Sequence, residues 1–182
     1  MPTNRASSRA KLLFLLVALA SAPASAAQPE GANTASNGPS GLPLPRFVSI
    51  KSQPVNVRSG PNRDNDVNWV YTRVGLPVEI IAEYDNWRRI RDWEGAEGWV
   101  LHSLLSGRRT ALISPPAKAV DDFVPLHAAA DRQSPITARL QAGVLATVKR
   151  CGGSWCRVIG QGYDGWIEQE RLWGVYPGET IE

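Results

Sequence analysis

A duplicated pattern constrains this chain more than any other feature. Val74-Gly75 leads into Val78-Glu79-Ile80-Ile81, and Ala142-Gly143 leads into Val144-Leu145-Ala146-Thr147-Val148. Trp87 follows Gly75 by twelve residues, and Trp155 follows Gly143 by the same interval. Each tryptophan opens Trp-x-Arg-(Ile/Val), and each copy then closes with Gly98-Trp99-Val100 or Gly165-Trp166-Ile167. A leucine follows in both, Leu104 and Leu172. The three anchors are displaced by 68, 68 and 67 residues. That period is longer than a solenoid unit and occurs only twice. Each copy therefore reads as a domain of about 60 residues, near the smallest size that folds alone.

Both copies carry the period of two that marks β-strands. Arg88, Ile90 and Asp92 alternate with Trp87, Arg89, Arg91 and Trp93, and Val144, Ala146 and Val148 alternate with Leu145, Thr147 and Lys149. Turn residues interrupt the runs at Asp85-Asn86, Glu94-Gly95 and Gly152-Gly153-Ser154. The fold class expected is all-β: two small closed barrels, which leave few strand edges open to aggregation. Cys151 and Cys156 flank the second hairpin turn. A turn centred on Gly153-Ser154 sets them opposite one another at a separation of about 4.5–5.5 Å, within disulfide range. The matching positions of the first copy are Glu83 and Arg88, which suit a cross-strand ion pair.

The segment before the repeat has two parts. Arg5, Arg9 and Lys11 precede the apolar run Leu12 to Ala20, and Ala24-Ser25-Ala26 follows. This is the pattern of a cleaved export signal over residues 1–26, too short for a stable membrane anchor. It places the protein outside the cytoplasm, periplasmic or secreted, where two cysteines pair. Residues 27–45 are rich in Pro, Gly, Ser and Asn and read as a disordered linker. The two domains then occupy residues 46–109 and 110–182. Of the 20 basic residues, three lie in the signal, which contains no acidic residue; the remainder balances 17 basic against 17 acidic. A chain without net positive charge is a poor partner for nucleic acid.

Val55-Asn56-Val57-Arg58-Ser59-Gly60-Pro61, followed by Gly75, the Trp87 hairpin and Gly98-Trp99-Val100, resembles the bacterial SH3 (SH3b) family over residues 46–105. The second copy matches the later part of that pattern, but Val124-Pro125-Leu126-His127 stands where the opening motif should be. The resemblance implies two tandem SH3-like barrels and an accessory binding role, often toward peptidoglycan or its peptides. Candidate ligand-binding residues are Arg58, Trp69, Tyr71, Trp87, Arg89, Arg91, Trp93 and Trp99. Alternation sets Trp87, Arg89, Arg91 and Trp93 on the face opposite Ile90, hence outside a barrel. There they either stack on and clamp a ligand or cover the barrel edge. Trp69 and Tyr71 form a second outer or rim pair. Trp99 packs in the core or floors a groove, and Trp173 seals the second barrel or the contact between barrels.

Catalytic constellations are poor. His102 and His127 are the only histidines, and both read as surface or capping residues. Neither lies in a nucleophile or metal motif, and no phosphate-binding or dinucleotide fingerprint occurs. No enzyme, metal or cofactor is expected. The expected partner is a cell-wall peptide or glycan, or alternatively another envelope protein bound through an extended Pro-rich segment. A wall hydrolase is the third reading.

Overall fold

The computed structural model describes residues 36–114 and 123–182. The export segment, residues 1–26, lies outside the described residues. Thr34–Glu182 form one compact unit.

Two short strands, β1 (Ser36–Asn37) and β2 (Pro43–Leu44), precede the repeat and pair with one another. The first copy contains β3 (Arg46–Ile50), β4 (Val55–Arg58), β5 (Val67–Tyr71), β6 (Pro77–Tyr84), β7 (Trp87–Arg91), β8 (Glu97–Leu101), a 3-10 turn (His102–Leu104) and β9 (Leu105–Ser106). The second contains β10 (Thr110–Ile113), β11 (Phe123–His127), β12 (Ile136–Gln141), β13 (Leu145–Gly152), β14 (Trp155–Gly160), β15 (Tyr163–Glu168), a 3-10 turn (Gln169–Arg171) and β16 (Leu172–Trp173). Each copy makes one antiparallel seven-stranded sheet. The strand orders, β5-β4-β8-β7-β6-β3-β9 and β12-β11-β15-β14-β13-β10-β16, are identical when β3 is matched to β10 and so on. The repeat thus encodes the same SH3-like topology twice. One anchor shifts: Leu105, which opens β9, is the counterpart of Leu172, which opens β16.

The shared glycines have two physical roles. Gly75 and Gly143 adopt φ of 84° and 75°, and their N–H groups donate to Ile50 and Ile113 at 2.8 Å. A side chain is strained in that conformation. Gly98 and Gly165 instead lie where two strands approach closely. A Cβ on Gly98 would stand 2.4 Å from Val57 Cγ1, and one on Gly165 would stand 2.7 Å from the His127 carbonyl oxygen. The Gly-Trp-(Val/Ile) motif is therefore the crossing of β8 with β4, and of β15 with β11. The residue after each tryptophan, Val100 or Ile167, is fully buried.

The cysteine prediction holds. Cys151 and Cys156 face each other in register and form a disulfide with a Cα–Cα distance of 4.1 Å, slightly closer than expected. Glu83 and Arg88 occupy the same register in the first copy, with Arg88 Nε 3.1 Å from Glu83 Oε1.

The linker reading fails over residues 36–45. This part is a hairpin fastened to the first barrel through Glu83. Ser40 donates its backbone N–H to Oε2 and its hydroxyl to Oε1, both at 2.8 Å, while Arg46 Nη2 reaches Oε1 at 2.6 Å. Leu44 packs against the first core. Composition missed this because the anchor is a single carboxylate far along the chain.

The two cores are not independent. Leu112 of β10 is buried in the first barrel's core, and Trp173 of β16 packs against the same cluster. Phe47 meets Trp173 edge-on at 5.2 Å and Tyr176 at 4.6 Å between ring centroids. The Tyr176 hydroxyl donates to buried Glu79 at 2.7 Å, and Thr110 Oγ1 donates to the Gly75 carbonyl at 2.7 Å. Trp173 thus seals the contact between barrels.

Candidate functional site

The opening strand β4 and the loop after it build the most distinctive surface. Val55 and Val57 point into the core, so Asn56 and Arg58 point out. The β4–β5 register is interrupted between Val57 and Arg58, and on the other side Arg58 pairs with Trp99 of β8. Arg58 Nη1 donates to the Asn65 carbonyl at 2.6 Å, and the Ser59 N–H donates to the Asp66 carbonyl at 3.0 Å. This loop carries Arg63 over a pocket of about 240 Å³. Pro54, Asn56, Arg58, Arg63, Trp87, Leu101 and Leu104 line it. Among the described residues neither Arg58 nor Arg63 makes an ion pair. The pocket is a slot of mixed polar and apolar lining, with an indole in its wall and two guanidinium groups that make no ion pair among the described residues.

The eight sequence candidates divide into separate groups. Only Arg58 and Trp87 line this pocket. Trp87 follows the expected alternation but is 8% exposed, so it is buried rather than presented on an open face. Arg89 is engaged with Glu97 at 2.7 Å. Arg91 makes two hydrogen bonds, of 3.0 and 2.6 Å, to Glu79, which hold its guanidinium still more firmly protonated. The second barrel's counterpart of the Arg89–Glu97 pair, Arg157 and Asp164, sits 2.8 Å apart, so the Arg89–Glu97 bridge belongs to the scaffold. Trp69, Tyr71 and Trp93 form a separate aromatic row, with centroids 6.2 and 6.5 Å apart. Tyr71 is not a rim residue: it is buried, and its hydroxyl donates to Asp92 at 3.0 Å. Burial, with the negative charge of Asp92, raises its pKa far above the ordinary phenol value. Trp93 is exposed and Trp69 half-buried. Trp99 is half-buried on the outer face beside Arg58, not in the core.

The second barrel repeats this architecture with different side chains. His127 pairs with Trp166 as Arg58 pairs with Trp99. Its Nδ1 lies 3.1 Å from the Ser134 carbonyl, seven residues ahead, as Arg58 reaches Asn65. The loops match in their turn bonds too: Asp64 N–H donates to Asn62 Oδ1 at 3.2 Å and Gln133 N–H to Asp131 Oδ1 at 3.0 Å. Arg132 is therefore the counterpart of Arg63. His127 is buried against Trp155, centroids 5.5 Å apart, which corrects its reading as a surface residue. The register that sets Leu101 opposite Trp87 sets Glu168 opposite Trp155. Glu168 accepts a hydrogen bond from Arg132 and lies 3.7 Å from Arg171 Nε, the position equivalent to Leu104. That bond raises the Arg132 pKa.

Sequence reasoning missed Arg63, Asn56, Pro54, Leu101 and Leu104. Aligning Asn62-Arg63 with Asp131-Arg132 would have found the first, since both pairs follow the same turn.

The profile of the bacterial SH3 domain family matches residues 51–107 and 120–174, more than half of the chain. The chain belongs to the bacterial SH3 domain family. No curated protein matches it significantly. Two solved structures from Trichomonas vaginalis are similar: NlpC2, at 14% identity over 71% of this chain and 48% of that one with a TM-score of 0.33, and NlpC1, at 13% identity over 70% and 45% with a TM-score of 0.32. This SH3 pair spans about half the length of those proteins.

Proposed function

We propose that this tandem SH3 protein is a noncatalytic binding module of the cell envelope that recognises a peptidoglycan component through the pocket of its first barrel. The reading is carried by Arg58 and Arg63, two guanidinium groups without a carboxylate partner among the described residues, set beside the indole of Trp87. Two guanidinium groups that share one pocket with an indole suit an external anion that accepts hydrogen bonds from both. The export pattern of the N-terminus supports an exported, envelope-facing protein.

Sedimentation with purified sacculi tests this. The protein should pellet at low and moderate salt, and the double variant R58Q/R63Q should remain in solution. Wild-type protein left in the supernatant under both conditions would refute the reading. A second reading, docking to another envelope protein, is favoured by β5. This strand lies at the end of its sheet and exposes Val67 at 41% and Val70 at 44%. Photocrosslinking from position 93 separates the two, because a protein adduct requires a protein partner.

A further inference from the structure

We infer that the first barrel's pocket takes the free carboxylate end of a short peptide, and that the second barrel does not bind it because Glu168 supplies that carboxylate from within the chain. The inference rests on the binding role proposed for the pocket and names the chemistry of its ligand. The second barrel acts as an internal record of what the site accepts. Where the loop arginine, the strand tryptophan and the 3-10 turn converge, it holds Arg132, Trp155 and Arg171, and the group between them is a carboxylate. The first barrel has the same loop arginine, Arg63, and the same tryptophan, Trp87, but Leu101 replaces the carboxylate. It also gains a strand guanidinium, Arg58, where the second barrel has buried His127.

The remaining lining sets the rest of the ligand. Arg58 spends one N–H on the Asn65 carbonyl, which fixes its plane and leaves its other donors available. Two such groups match the paired oxygens of a carboxylate. Asn56 offers both a donor and an acceptor, as a peptide unit requires. Pro54, Leu101, Leu104 and the Trp87 ring suit a small aliphatic side chain next to the carboxylate. The volume, about 240 Å³, is below the roughly 300–1,000 Å³ of a typical small-molecule site, so it suits the end of a chain better than a long stretch of it.

The test is titration of the full chain with acetyl-Ala-Ala-Ala as the free acid and as its C-terminal amide, followed through the Trp87 and Trp155 indole N–H resonances. The acid should shift Trp87 saturably and bind about tenfold or more tighter than the amide. R58Q and R63Q should each weaken the acid by a similar factor with unchanged near-ultraviolet dichroism. E168L should add a weaker response at Trp155, which is silent in the wild type. Equal binding of acid and amide, or inorganic phosphate competing as well as acetate, would overturn carboxylate recognition. A silent Trp155 in E168L would overturn the account of the second barrel. If sacculi retain the protein while acid and amide titrate alike, the ligand class falls and the envelope reading stands; if the acid titrates but sacculi do not retain the protein, the reverse holds.

Discussion

Glu83 shows how much one side chain can organise. Its side chain is 1% exposed, and burial alone would push its pKa up. The Ser40 backbone N–H, Arg46, the Ser40 hydroxyl and the charge of Arg88 more than offset this and bring it from 4.5 to about 2. A carboxyl depressed on folding stabilises the native state fully above its unfolded pKa and loses that contribution as pH falls through the folded value. E83Q should therefore lower stability by about 2–3 kcal/mol at neutral pH, the scale of hydrogen bonds to a charged group. The deficit against wild type should shrink between pH 4.5 and 2, read as converging urea midpoints. The sequence made this pair legible, since Glu83 and Arg88 fall at the cysteine positions. It did not show that Ser40 and Arg46 complete the site, because neither is near Glu83 in the chain. The ligand candidates were legible to the same degree: period two located Arg58 and Trp87, whereas Arg63 needed the fold of a loop.

The central hairpin shows the duplication keeping its register while changing its chemistry. At one register, the second copy has a covalent bond and the first an ion pair that also holds the β1–β2 hairpin. The disulfide closes a short loop, so the chain-entropy model assigns it about 2 kcal/mol. Reduction should lower the wild-type urea midpoint accordingly and leave C151S/C156S unaffected. The β4–β8 crossing is less tolerant. G98A forces a methyl group onto Val57 and the Arg58 carbonyl, and overpacking of this kind costs about 1–3 kcal/mol. Its effect should appear in thermal denaturation, and because Arg58 is displaced it should also weaken retention on sacculi. Element order followed from alternation and turns, which are local. The interruptions between Ile80 and Ala82 and between Val148 and Arg150 did not, because a bulge answers to the twist of the sheet.

At the scale of the molecule, the two barrels share a boundary built like a core. Burial and the Glu79 hydrogen bond raise the Tyr176 pKa far beyond the ordinary phenol range, which favours the protonated hydroxyl that donates to Glu79. Y176F leaves the Phe47 contact in place but removes one donor from Glu79, at a cost of about 1–2 kcal/mol. Calorimetry should show a single transition for wild type, moved to lower temperature as one peak in Y176F. Two resolved peaks in the wild type would contradict a shared core. The repeat predicted two domains but not their fusion, since Leu112 and Phe47 look like ordinary strand residues until the second sheet is in place. The loan of Leu112 to the neighbouring core has an evolutionary consequence. A duplicated unit is normally free to be shuffled into other genes one copy at a time. Here, transplanting either half alone would leave a hole in one and a bare apolar edge on the other, so the inheritable module is the pair.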